Sequence, residues 1–206
     1  MELIHAVYEP DGPGPHPTVV ALHGWGANAL DLLGLAPHLG GGRFLVLCPQ
    51  GPLAVPIGPG MNGYGWFPIS MGAPPDAAAF ARAVTALDGF LDAARQRYPI
   101  AADRLALRHG RARLAAVAAL STWLAPGLFE RGGGQGLAGL PILVQHGTRD
   151  ELIGVERGRE SVEQLRAAAA EVVYREYEMG HEINAASLRD LAAFLGERLL
   201  SPIIRP

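Results

Sequence analysis

The sequence contains no lysine; all 17 of its basic residues are arginines. That excludes Schiff-base chemistry on a lysine amine, pyridoxal phosphate attachment and a Walker-type phosphate loop, each of which needs that amine. Cysteine is almost as scarce. Cys48 stands alone, so no internal disulfide and no cysteine-built zinc site can form. Charge is sparse and nearly balanced, 17 basic residues against 20 acidic ones, for a net charge of −3. This offers no electrostatic footprint for nucleic acid and no polybasic patch for a membrane surface. No apolar run approaches the roughly 20 residues of a membrane span. The start, MELIHAVYEP, lacks the basic and then apolar segments of a secretory signal. A cytoplasmic location is the expectation.

What is present is a folded chain. At roughly 100–200 residues per domain, 206 residues make a single domain. Hydrophobic residues reach 49% and charged ones only 18%, which is globular rather than disordered composition. Short apolar runs read as buried strands: Thr18 to Leu22 (TVVAL), Phe44 to Leu47 (FLVL) and Ile142 to Gln145 (ILVQ). Val172 to Tyr177 (VVYREY) alternates, as a strand near a sheet edge does. Helical periodicity fills the intervals. Asp76 to Tyr98 places Phe80, Val84, Leu87, Phe90 and Leu91 on one face; Arg157 to Ala170 and Ser187 to Leu200 are amphipathic too. The glycine-rich Arg131 to Gly139 reads as a surface loop, and Pro49 to Pro75 as a long functional loop. Strands alternating with helices predict an α/β domain with a mostly parallel sheet flanked by helices. In such sheets the chemistry sits on loops at the carboxyl ends of the strands.

Three strand ends carry polar, glycine-bearing turns. The first is Leu22-His23-Gly24-Trp25-Gly26-Ala27-Asn28, where glycines let backbone N–H groups approach a ligand. The second is Gln145-His146-Gly147-Thr148-Arg149-Asp150, and the third is Glu178-Met179-Gly180-His181-Glu182. Taken singly, Asp150 could be a turn or helix-capping carboxylate and His181 a structural histidine. Taken together, an Asp and then a His on successive strand-end loops match the later two members of a Ser…Asp…His triad in chain order.

The ordered segments LHGWGAN, CPQGP, GYGWF, YPIAADRLAL, ALSTWL, HGTRD and MGHEI resemble the phospholipase/carboxylesterase branch of the α/β-hydrolases. That group includes acyl-protein thioesterases and small bacterial carboxylesterases. The resemblance covers nearly the whole chain and implies an α/β-hydrolase fold without a cap domain. It implies Asp150 as triad acid, His181 as general base and the Trp25 N–H as an oxyanion donor. It also implies Leu22, His23, Gly24, Trp66 and Phe67 as substrate-pocket residues. The implied substrate is a small acyl ester or thioester. No cofactor and no metal are expected, and a homodimer is possible.

The family's Gly-x-Ser-x-Gly elbow, which should follow Leu107 directly, does not occur. DRLAL (Asp103 to Leu107) runs straight into RHGRARLAAVAALSTWL (Arg108 to Leu124), which resembles what the family has after the elbow helix. About fifteen residues are missing relative to that pattern, and a second oxyanion N–H is lost with them. None of the five serines, Ser70, Ser121, Ser161, Ser187 and Ser201, has both flanking glycines. Arg108 to Leu114 is also too short to join adjacent parallel strands, which takes a dozen or so residues. Either one strand leaves the sheet or the region around 104–120 refolds, at the extreme into one long helix over Arg104 to Leu124. Ser121, ending a strand near the expected site, is the substitute nucleophile the sequence offers, although no glycine announces a strained turn there. Cys48 reads as a small buried strand residue. Hydroxide activated by Asp150 and His181 would give only weak hydrolysis. Three readings follow: a carboxylesterase or thioesterase for short to medium acyl groups, a non-catalytic acyl-binding or interaction protein, and an internally truncated esterase.

Overall fold

The computed structural model describes residues 2–69, 75–106, 114–125 and 136–200. They divide into two compact units, one within 1–113 and one within 114–206. The first holds β1 (His5–Tyr8), β2 (His16–Val20), β3 (Leu45–Pro49) and β6 (Ile100–Ala106) in the order β1-β3-β2-β6. β1 runs antiparallel to β3, and the other pairings are parallel. Leu45, Val46, Leu47 and Cys48 of β3 are all buried, the unbroken apolar run of a strand covered on both faces. Cys48 packs in this run, and burial pushes its thiol up to about 11.

α1 (Ala77–Arg97) starts at Asp76, whose carboxylate accepts the Ala79 N–H at 2.7 Å, the usual N-cap device. Its buried face is Ala79, Ala83, Phe90, Leu91 and Ala94. The expected face was Phe80, Val84, Leu87, Phe90 and Leu91, so the true contact is rotated toward the alanines. Side-chain bulk at 80, 84 and 87 lies at the margin of the buried stripe instead. Phe90, Leu91 and Ala94 share a core with Leu3, Val20, Leu45 and Leu47.

The expected loop over Pro49 to Pro75 is corrected by the structure. β4 (Leu53–Gly58) and β5 (Met61–Gly65) form an antiparallel hairpin there. Its proline and glycine content hid the strands. Pro56 is tolerated because β4 pairs only with β5 among the described residues, leaving its other edge open, and Gly60 turns the chain at φ +69°. The hairpin carries the 24–27 turn: Gly26 N–H donates to Tyr64 O at 2.9 Å, and Tyr64 N–H to Ala27 O at 2.8 Å.

The second unit is a three-stranded parallel sheet, β7 (Val117–Leu120), β8 (Pro141–Gly147) and β9 (Glu171–Tyr177), in that order. α2 (Val155–Ala167) and α3 (Ala185–Leu199) complete it. Ile142, Val144, Val162 and Leu165 form its core between β8 and α2. β9 lies at the edge with alternating exposure, as its sequence pattern predicts. The long helix over 104–124 is not formed, since β6 and β7 are both strands. They stand in separate sheets among the described residues, as the short connection requires. The join at Leu107 and Arg108 lies outside the described residues, as does 131–135 of the glycine-rich segment. Among the described residues, no helix is long and apolar enough to cross a membrane.

Gly63 is fixed by packing, because a Cβ there would stand 1.8 Å from Gly26 O. Gly63→Ala is therefore expected to lift the 24–27 turn off the hairpin and to lower stability by about 1–3 kcal/mol. Urea denaturation followed by tryptophan fluorescence reads both effects, since Trp25 and Trp66 flank the contact.

Candidate active site

β7, β8 and β9 run parallel, so Ser121, Asp150 and His181 all follow the carboxyl end of the same sheet. β8 and β9 are paired in register through Gly147 and Tyr177, and the loops beyond stay zipped. Thr148 N–H donates to Tyr177 O at 2.8 Å, and Arg149 N–H to Met179 O at 3.1 Å. Gly147 permits this approach: a Cβ there would lie 2.3 Å from Gly180 O and 2.4 Å from Met179 O.

The loops bring Asp150 and His181 together as the sequence expected. His181 Nδ1 donates to Asp150 Oδ2 at 2.9 Å. Asp150 Oδ1 accepts the N–H groups of Leu152 at 3.0 Å and Ile153 at 2.8 Å. The Asp150 side chain is fully buried and that of His181 is 38% exposed. Burial alone would raise the Asp150 pKa. The Ile153 N–H, the His181 hydrogen bond and charge, and the Leu152 N–H outweigh it, holding the carboxyl below its ordinary value. The carboxylate thus fixes the imidazole with Nδ1 protonated, and Nε2 has no hydrogen-bond partner among the described residues. An imidazole held this way can accept a proton at Nε2 and return it.

Ser121 departs from the backbone its sequence suggested. It has φ +44°, rare for a non-glycine residue, is buried, and its N–H donates to Gln145 O at 2.9 Å. The other described serines are committed. Ser161 Oγ donates to Arg157 O and accepts Leu124 N–H, and Ser187 Oγ donates to Asn184 O. No acceptor engages the Ser121 hydroxyl among the described residues. Backbone strain of this kind clusters at active sites, ligand clamps and switch regions.

A polar scaffold that sequence reasoning missed supports the His181 loop. The buried Gln145 amide donates to Tyr177 Oη at 2.7 Å and Ser187 O at 2.9 Å. Tyr177 in turn donates to Asp190 Oδ2 at 2.7 Å. Burial, with that bond to Asp190, pushes the Tyr177 hydroxyl up to about 12. Asn184 caps α3 by accepting the Ala186 and Ser187 N–H groups, fixing the helix start three residues after His181. The one sequence signal for this scaffold was a glutamine inside an apolar strand.

In the first unit, the expected pocket residues cluster around His23. Its Nδ1 donates to Gly24 O at 2.7 Å and its Nε2 accepts Gly51 N–H at 2.9 Å, so both ring nitrogens are spent on loop structure. Trp66 Nε1 donates to His23 O at 3.0 Å, and the two rings meet at a 32° tilt with centroids 5.4 Å apart. Leu22 and Trp66 pack on the core, and Phe67 meets Phe80 edge-on. Gly24 is exposed. The Trp25 side chain is 46% exposed, and its N–H has no acceptor among the described residues. No three His, Cys, Asp or Glu side chains converge as a metal site among the described residues.

The model of the phospholipase/carboxylesterase family matches residues 104–199, the stretch that carries Ser121, Asp150 and His181. Solved structures superpose on nearly the whole chain. The esterase PE8 is 22% identical with a TM-score of 0.80, the match covering 97% of this chain and 100% of that one. Acyl-protein thioesterase 2 of Zea mays is 21% identical with a TM-score of 0.72, covering 94% and 98%. The carboxylesterase of Bacillus cereus is 19% identical with a TM-score of 0.73, covering 95% and 94%. The fold is that of the α/β-hydrolases, and the resemblance to phospholipases and carboxylesterases read from the motifs is upheld.

Two outcomes are expected from this geometry. Gly147→Ala should force the Asp150 and His181 loops apart, and the loss of the His181 Nδ1–H resonance in a proton NMR spectrum would register it. Asp150, with its folded pKa lowered, contributes stability that is complete above the unfolded carboxylate value of about 3.9. That contribution is lost as pH falls through the lower folded value. Urea midpoints measured from pH 7 downward should therefore drop less steeply below about pH 4 in Asp150→Asn than in the parent chain.

Proposed function

We propose that this protein hydrolyses carboxylic esters or thioesters of short to medium acyl chains through a covalent acyl-serine intermediate. The observation that carries the reading is the buried Asp150 carboxylate holding His181 by Nδ1 while Nε2 has no partner among the described residues. The segment 104–199 matching an esterase family model supports the substrate class.

Ser121 is the nucleophile in this proposal. Its Oγ attacks the acyl carbonyl as its proton passes to His181 Nε2. The carbonyl oxygen gains charge, the charge that N–H donors stabilise in acyl transfer. Collapse breaks the bond to the alcohol oxygen or thiol sulfur, which takes the proton from Nε2. Water then enters, loses a proton to Nε2 and attacks the acyl-serine; the carboxylic acid leaves as Ser121 recovers the proton. Asp150 stays ionised and orients the imidazolium throughout. Support for Ser121 comes from its φ of +44°, a hydroxyl with no acceptor among the described residues and its place directly after β7, the strand next to the one that leads to Asp150. Ser70 and Ser201 lie outside the described residues.

Intact-mass spectrometry after a fluorophosphonate probe tests the proposal. One adduct is expected on the parent chain and none on Ser121→Ala. His181→Ala should cut kcat/KM for p-nitrophenyl acyl esters by about 10³-fold or more. No adduct and no turnover above His181→Ala would overturn the hydrolase reading. An adduct mapped to Ser70 or Ser201 would keep the reaction and overturn the choice of nucleophile.

A further inference from the structure

His146 is a buried histidine that the reaction above does not use. Its side chain has no exposed surface, and it is the last residue but one of β8, directly before Gly147. Nε2 lies 2.7 Å from Ile153 O and 3.5 Å from Asp150 Oδ2. Both neighbours are acceptors, so Nε2 carries the hydrogen and donates to the carbonyl. The carboxylate oxygen that holds His181 is the second negative atom beside that N–H. Nδ1 has no hydrogen-bond partner among the described residues. On that side lies α2, where a Cβ at Gly158 would stand 2.5 Å from Nδ1. A histidine buried with one nitrogen unpaired is a poor choice for packing alone, because a leucine would fill the space without that cost.

We propose that His146 is a positioning residue for Asp150, acting through the 150–153 turn. The Ile153 N–H holds Asp150 Oδ1 at 2.8 Å, while the Ile153 carbonyl is held by His146 at 2.7 Å. The turn is thus gripped on both sides of one residue. His146 also presents an N–H beside Oδ2, which favours the ionised carboxylate and fixes the oxygen that receives His181. Gly158 is the matching adaptation on α2, since it leaves room for the ring beneath the turn. The inference concerns the Asp150–His181 geometry; only its kinetic consequence rests on the proposed hydrolase reaction.

The test reads that geometry without activity. The His181 Nδ1–H proton, bonded to a buried carboxylate, should resonate far downfield and vanish in Asp150→Asn. His146→Gln places an amide nitrogen near the Nε2 position, whereas His146→Asn reaches only the Nδ1 position. The resonance is expected to persist in His146→Gln and to be lost in His146→Asn and His146→Leu, with circular dichroism unchanged. If turnover is present, His146→Leu should lower kcat about 10- to 100-fold with KM little changed, and His146→Gln should recover most of it. A resonance unchanged in a folded His146→Leu would overturn the proposal. Equal behaviour of the Gln and Asn variants would overturn it too, and this comparison decides the matter if the leucine variant unfolds. A parent chain lacking the resonance would overturn it as well. Absence of turnover with the expected resonance pattern would remove the hydrolase reading alone.

Discussion

A fully buried carboxylate organises the second unit. Asp150 has no exposed side-chain surface, so its charge must be satisfied by the protein itself. Two backbone N–H groups from Leu152 and Ile153 and the His181 ring do so. Each partner constrains the chain. The N–H groups force residues 150–153 into a tight turn, and the imidazole requires the loop after β9 to fold toward the loop after β8. An unpaired carboxylate in that place would cost several kcal/mol, more than most single contacts contribute.

That demand explains otherwise separate features. Gly147 and Gly180 lie where the two loops touch, because a side chain at 147 would collide with the Met179 and Gly180 carbonyls. Gln145, Tyr177 and Asp190 form a hydrogen-bonded chain that fixes α3 to the sheet. Asn184 then starts α3 close behind His181, so the histidine loop has little freedom at either end. Unlike the buried carboxylate, the imidazole is partly exposed, and its Nε2, which has no partner among the described residues, faces away from Asp150.

The absent Gly-x-Ser-x-Gly elbow gives the chain its unusual character. The usual arrangement supplies serine and oxyanion donor on one strained turn. Here β7 is followed directly by Ser121, a non-glycine residue at positive φ without flanking glycines. A backbone of this kind costs about 1–3 kcal/mol and persists when its surroundings enforce it. The Ser121 N–H bond to Gln145 O is one such enforcement, and it links the serine to the same residue that braces α3.

Much of this was legible in the residues. Unbroken apolar runs marked β2, β3 and β8, because strands covered on both faces need no polar alternation. HGTRD and MGHEI marked Asp150 and His181, because glycine turns after strands are local features of sequence. The β4–β5 hairpin was not legible, since its prolines and glycines signal a loop unless a partner strand is known. The helix alternative over 104–124 fell to pairing with β2 and β8, a long-range choice that local propensity does not contain. Sequence alone determined the exclusion of lysine chemistry, the α/β class and the strand-end turns that bear Asp150 and His181. Tertiary structure decided the left-handed backbone of Ser121, the role of Gln145 and the grip of His146 on the Asp150 turn. Each of these depends on atoms brought together from distant strands and helices, which no window of neighbouring residues can specify.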